Sequence, residues 1–325
     1  MRKLVSVSIC TLSLLILGIL ATPARADEPR PRDFPLKARR ILFLGDSITH
    51  SGHYIYWIET QLRLRGVSPL PEMINIGLSS ETCSGLSEPG HPFPRPNVQN
   101  RIEKALDLVQ PDVVVACYGM NDGIYHPFDE SRFLAYQRGI QRIIDLSHAR
   151  GAKVILLTPP PFDPLVPREK GKLLPAGQPE YAYYAMYENY DDVLKRYGEW
   201  IMQQGNNADM VINVHRPVSE YVARQRLKDP QFTLIPDGIH PNPAGHRILA
   251  EAILPAWGLP ASLEPDPELL KLVTRRGTLL HDAWLSHIGH DRPGVAAGLP
   301  LEEARQQAQQ LEQQINTRLE ALRKP

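Results

Sequence analysis

The sequence predicts an α/β protein, a three-layer sandwich around a parallel sheet of five strands, followed by a helical extension. Three observations carry that prediction. Short apolar runs alternate with longer stretches of helical period through most of the chain. The runs are apolar on both faces, as in DVVVAC at 112–117, which suits strands covered by helices on either side. Composition is ordinary for a globular chain of 325 residues, with 42 % hydrophobic and 22 % charged residues, which excludes a disordered or collagen-like polymer.

The elements follow in order. Residues 1–26 read as a secretory signal peptide: Arg2 and Lys3, an apolar run from Leu4 to Leu20, then Ala24-Arg25-Ala26. The run falls just short of a membrane span and is diluted by Ser6, Ser8, Thr11 and Ser13. The expected product is exported, begins at Asp27, and has no stable membrane association after cleavage. Residues 27–38 are a polar, Pro-rich lead-in. A domain over 39–258 then alternates strands at 41–44, 73–76, 112–117, 154–157 and 210–214 with helices at 51–65, 97–109, 132–149, 187–204 and 242–254. Asn242 supplies an N-cap and Pro243 the first helical position of the last of these. Right-handed crossovers make a flavodoxin-like strand order the natural one. Residues 259–325 form the extension, with a stretch at 269–287 and a strong helix former carrying Ala304, Ala308, Leu311 and Ile315 on one stripe. That stripe packs either on the core or on another subunit, so an oligomer through these helices is one expectation.

Charge and cysteine content narrow the function. Basic and acidic residues balance at 36 each, which gives no electrostatic reason to expect nucleic acid. Three cysteines exclude a disulfide scaffold or a cysteine-rich zinc protein. In an exported chain Cys83 and Cys117 can pair; a strand position for Cys117 reads instead as a buried thiol. His281, His287 and His290 lie near Asp282 and Asp291, but the i, i+6 spacing of the first two does not share a helix face, so no metal is expected. No cofactor motif is present either: the chain has no P-loop and no G-x-G-x-x-G.

Four short motifs fall at the ends of successive βα units, on one edge of the expected sheet. Leu44-Gly45-Asp46-Ser47 ends the first strand and places a serine before a helix; this tetrapeptide alone reads better as a helix cap at Ser47 than as a nucleophile. Asp237 and His240 stand three apart before the last core helix, the spacing of a carboxylate that orients an imidazole base, or of a simple turn. Gly77 and Asn121 end the second and third strands, where an N–H and an amide are suitable oxyanion donors or mere turn formers.

Taken together, FLGDSIT, NIGLSS, YGMND and DGIHPN resemble the four ordered blocks of the SGNH (GDSL-type) hydrolases over about residues 39–254. The resemblance implies the flavodoxin-like sandwich and a serine esterase. It also implies Ser47 as nucleophile, His240 as base, Asp237 as its orienting carboxylate, and Ser47, Gly77 and Asn121 as oxyanion donors. No G-x-S-x-G elbow of the ordinary α/β-hydrolases is present. The expected substrate is a short-chain ester, acetyl on carbohydrate by analogy within the family. A lipase or thioesterase for longer acyl chains is the alternative enzyme, and a non-catalytic glycan-binding module the alternative class. The Pro-rich stretch Thr158–Gln178 reads equally as a ligand-binding loop or a surface insertion. His50, His53 and His126 are candidates to line the cleft, and Tyr181, Tyr183, Tyr184, Tyr187 and Tyr190 are candidates for sugar stacking or helix packing.

Overall fold

The computed structural model describes residues 33–260 and 262–323; the signal-peptide reading and its cleavage site lie outside the described residues. Five parallel strands, β1 (Arg40–Gly45), β2 (Glu72–Asn75), β3 (Val113–Cys117), β4 (Lys153–Leu157) and β7 (Met210–Ile212), form one sheet in the order β2-β1-β3-β4-β7. This is the flavodoxin-like order. Ile41 to Leu44 and Val113 to Ala116 are at most 2 % exposed, so β1 and β3 have helices on both faces, as their unbroken apolar runs require.

The chain leaves β1 for one side of the sheet and crosses to the other for β3. The carboxyl ends of these two neighbouring strands therefore flank the switch in direction where open α/β sheets place their ligands. The covering helices are α1 (Ser47–Ser51), α2 (His53–Leu64), α3 (Ile102–Val109), α4 (Glu130–Ala149), α6 (Tyr190–Met202), α7 (His215–Arg226) and α8 (Pro243–Ala256). Two expected helices are interrupted. The one over 51–65 starts earlier and breaks at Gly52, whose φ of 72° closes α1 and opens α2. The one over 97–109 is a 3₁₀ turn at Val98–Asn100 followed by α3, parted at Arg101, whose guanidinium turns inward to an ion pair.

The extension folds back on its own chain. Helices α9 (Pro267–Ile288) and α10 (Leu301–Arg323) pack against each other, and α9 also packs on α2 and β2. Ala304, Ala308, Leu311 and Ile315 are 0–6 % exposed, so the expected stripe is covered within the chain. Arg63 joins the clasp, pairing with Glu59 of its own helix and with Glu312 of α10 at 2.7 Å each. The Pro-rich stretch holds the single turn α5 (Leu165–Glu169) and β5 (Leu173–Leu174), which pairs with β6 (Met186–Tyr187). Cys83 and Cys117 are both buried and unpaired. No helix among the described residues is long and apolar enough to cross a membrane.

Candidate active site

The site begins with the turn after β1. A side chain at Gly45 would have its Cβ 2.2 Å from Thr49 Oγ1 and 2.8 Å from the Cys117 carbonyl, so only glycine lets α1 fold back this tightly. Asp46 caps α1, its Oδ1 accepting from the Ile48 N–H at 2.9 Å. Burial pushes the Asp46 carboxyl up to about 7, against the opposing pull of that N–H and of His240. Ser47 is thereby fixed at the start of α1, over the carboxyl edge of the sheet.

His240 reaches it from the turn before α8. Ser47 Oγ lies 2.8 Å from His240 Nε2, and His240 Nδ1 lies 2.6 Å from Asp237 Oδ2. Asp237 Oδ1 accepts two further bonds, from the His240 N–H at 2.7 Å and the Ile239 N–H at 2.9 Å. A carboxylate can only accept, so Nδ1 carries the proton and Nε2 is left to accept from the serine hydroxyl. Burial of Asp237 works against its charge, but the bonds from His240 and Ile239 outweigh it and hold the carboxyl down at about 2. For His240, burial alone lowers the imidazole; the bond and charge of Asp237 overcome this and raise it above 6.5, with the charge of Asp46 adding.

The Pro-rich stretch braces this turn rather than lining the cavity. The Asp163 N–H donates to the Gly238 carbonyl at 3.0 Å. The Asp163 carboxylate takes bonds from Arg226 at 2.7 Å and from Thr233 at 2.6 Å.

Asn121, at the end of the β3 unit, faces the same cavity. Its Oδ1 accepts from Tyr125 Oη at 2.9 Å and its Nδ2 donates to the Glu81 carbonyl at 3.1 Å, which leaves one amide hydrogen without a protein acceptor among the described residues. Its neighbour Asp122 is buried and accepts the Cys83 and Ser84 N–H groups at 2.9 Å each. These bonds, with the buried pairs Arg101–Glu81 and Arg95–Glu88 at 2.6 Å each, anchor the long segment from Ile76 to Arg101 beside Ser47. Each is a pair whose disruption would leave an uncompensated buried charge.

Gly77 is placed differently from the expectation. Its N–H donates to Asn75 Oδ1 at 2.9 Å, and it is not among the residues that line the cavity. A Cβ here would meet the His50 nitrogen at 2.5 Å and the Thr49 carbonyl carbon at 2.6 Å. Glycine at 77 thus lets the end of β2 press against α1. Three residues on, Ser80 does line the cavity, with a φ of 69° that few non-glycine residues adopt and an N–H without a protein partner among the described residues. Sequence reasoning passed it over because serine carries no signature of the left-handed conformation.

The cavity has a volume of about 320 Å³ and is lined by Ser47, Ser79, Ser80, His91, Pro92, Phe93, Arg95, Asn121, Tyr125, Tyr183, Ile239, His240 and Arg292. Of the tyrosine cluster, Tyr183 is here; Tyr181 and Tyr184 line a neighbouring hollow with His126. Tyr190 is buried, its hydroxyl bonded to the Met120 carbonyl at 2.8 Å, and Tyr187 packs against the core. His50 lies beneath the site, bonding the Gly77 carbonyl at 3.1 Å, and His53 packs on His246. His281 of α9 bonds that same carbonyl at 3.0 Å. Among the described residues no three His, Cys, Asp or Glu side chains group as metal ligands.

Similar solved structures include BT4096, a gut microbial diltiazem-metabolizing enzyme, at 21 % identity and a TM-score of 0.52. The match covers 68 % of this chain and 47 % of that one, so the chain spans about half of that protein's length. Axe2, an acetylxylan esterase from Geobacillus stearothermophilus, matches at 20 % identity over 70 % of this chain and 97 % of that one, with a TM-score of 0.48. The acetyl xylan esterase AlAXEase matches at 20 % identity over 67 % and 98 %, with a TM-score of 0.47. At 21 % identity the first of these is a likeness of fold alone. No curated protein sequence matches the chain. The sequence profile of the GDSL-like lipase/acylhydrolase family, in contrast, matches residues 43–248, a span that opens on β1 and closes inside α8 and so holds Ser47, Asn121, Asp237 and His240 together. The chain belongs to the GDSL-like lipase/acylhydrolase family.

Proposed function

We propose that the protein is an exported serine esterase that removes short acyl groups, acetyl above all, from a carbohydrate alcohol. The observation that carries this reading is the unbroken hydrogen-bond chain Ser47–His240–Asp237 at the edge of a cavity lined mainly by residues with polar groups. Ser47 Oγ attacks the ester carbonyl carbon as His240 Nε2 takes its proton. The oxyanion forms against the free amide hydrogen of Asn121 and the N–H groups of Ser47 and Ser80, Ser80 standing where Gly77 was expected. His240 then gives its proton to the departing alcohol, leaving an acyl-serine. Water, deprotonated by His240, attacks that ester; the bond to Ser47 Oγ breaks, His240 returns the proton to Oγ, and the carboxylic acid departs. No cofactor takes part in these steps.

The preference for short acyl groups rests on the walls. A long acyl chain gains about 0.8 kcal/mol for each methylene buried. Pro92, Phe93 and Ile239 are the wholly apolar side chains here, among serines, His91, His240, Asn121, two arginines and two tyrosines, which gives no continuous apolar groove. Tyr183, a residue 41 % exposed, suits stacking on a sugar face. The test is kcat/KM across acetyl, butyryl, octanoyl and palmitoyl esters, with Ser47→Ala as control. The profile should fall with chain length. A rising profile would instead make the protein a lipase or thioesterase, and no Ser47-dependent hydrolysis of any ester would leave only the glycan-binding alternative.

A further inference from the structure

Arg292 reaches the catalytic cavity from the extension, 44 residues beyond the end of the family match. Past the end of α9, Gly289 turns the chain with a φ of 86° and brings Arg292 over the loop that follows β2. Its Nε donates to the Ser79 carbonyl at 3.0 Å and its Nη1 to the Pro293 carbonyl at 2.7 Å. The guanidinium carbon lies 5.2 Å from the centre of the Phe93 ring. Ser79 and Phe93 line the same cavity as Ser47 and His240, so the arginine is held in a fixed pose on its wall.

The two arginines of the cavity differ in charge balance. Arg95 is locked to Glu88 by two bonds of 2.6 Å and is neutralised. Arg292 has no carboxylate partner among the described residues, and partial burial holds its guanidinium below the usual arginine range. Its positive charge also reaches His50, His91 and His290, where burial is the main influence against protonation and Arg292 adds to it. A half-buried guanidinium fixed through Nε and Nη1, with Nη2 uncommitted, is a receptor for an oxyanion.

We infer that Arg292 selects esters whose alcohol portion carries an anionic group on or beside the acylated sugar ring, a uronate carboxylate or a sulfate. The inference rests on the serine-esterase reading above and adds the charge of the substrate to it. No chemistry changes: the anion stays bound to Arg292 while the ester bond is broken at Ser47.

The experiment compares kcat/KM for three acetylated methyl glycosides, one neutral, one a uronate and one sulfated, in the wild type, Arg292→Gln and Arg292→Lys. The wild type should favour at least one anionic ester over the neutral one by about tenfold or more, the usual weight of a hydrogen bond to a charged group. The uronate and sulfate arms distinguish the two sources of charge. That ratio should collapse toward one in Arg292→Gln and return in part in Arg292→Lys. A wild-type ratio near one overturns the inference, as does a ratio that survives in Arg292→Gln. An equal loss on all three esters means that Arg292 only props the Ser79 loop, and also overturns it. Should Arg292→Gln fail to fold, inhibition of wild-type 4-nitrophenyl acetate hydrolysis decides: the deacetylated uronate or sulfated glycoside should inhibit at lower concentration than the neutral one, and equal inhibition refutes the idea. Because 4-nitrophenyl acetate bears no such anion, its Ser47-dependent cleavage reports on the esterase reading separately.

Discussion

Replacing Asp237 by Asn should disable the base while leaving the turn that holds it intact. Asp237 uses Oδ1 for the His240 and Ile239 N–H groups, at 2.7 and 2.9 Å, and Oδ2 for His240 Nδ1, at 2.6 Å. An asparagine that keeps its oxygen on the two backbone donors must turn its NH₂ toward Nδ1. Two donors cannot face one another, so the imidazole shifts its proton to Nε2. That nitrogen then donates to Ser47 Oγ and cannot take the serine proton. The corresponding change in one serine protease costs about 10⁴ in kcat, and a loss of about 10³ to 10⁴ is expected here. The pH dependence supplies a second readout. Only neutral His240 accepts the proton, so wild-type kcat/KM should rise with pH and reach half-height above 6.5, because Asp237 and Asp46 outweigh the lowering by burial. Asp237 itself, held at about 2, stays ionised throughout that range. Without its charge, burial is opposed by Asp46 alone, and the midpoint should move down. The assay is 4-nitrophenyl acetate hydrolysis across the neutral range, with circular dichroism to confirm the fold. A loss below tenfold, or an unmoved midpoint in a folded variant, would refute the reasoning.

Asn121→Ala should lower kcat by about 10²- to 10³-fold with a much smaller change in KM, since its free amide hydrogen acts on the developing oxyanion; a rise in KM alone would make it a ground-state binder. Gly77→Ala should act through packing: its Cβ would stand 2.5–2.6 Å from the backbone of Thr49 and His50, in the turn that carries Ser47. Thermal denaturation should show a destabilisation of about 1–3 kcal/mol along with lost activity, and unchanged stability would contradict the assignment. Exported material should begin at Asp27 by mass spectrometry, and an intact N-terminus in a membrane fraction would mean an anchor instead.

The parts of the fold that sequence could reveal are those whose signal is local. Runs such as ILFL at 41–44 and VVVA at 113–116 are apolar on both faces because both faces are covered, and that alone implies a parallel sheet. Helix α7 gave no such signal, since it buries only His215, Val218 and Val222 beneath a polar surface. The four motifs located the carboxyl edge of the sheet, and Ser47, His240, Asp237 and Asn121 do meet there. Gly77 misled because a glycine motif does not distinguish an offered N–H from a close approach of two backbones. Ser80 was hidden for the converse reason, as its left-handed φ is imposed by the anchored loop around it. The stripe on α10 was legible as a buried face, but its partner α9 was not, because apolar periodicity says what must be covered and not by what. Arg292 lies beyond any local pattern, brought to the cavity only by the path of the extension after α9.

The central claim is that Ser47 is the nucleophile, activated by His240. Labelling with a fluorophosphonate, followed by peptide mass mapping, tests it most directly, because that reagent traps an activated serine as a covalent adduct. The account predicts one adduct per chain, on the peptide carrying Ser47, absent from Ser47→Ala and formed far more slowly in His240→Ala. An adduct on another serine, or an unlabelled Ser47 in protein that still cleaves acetyl esters, would contradict it.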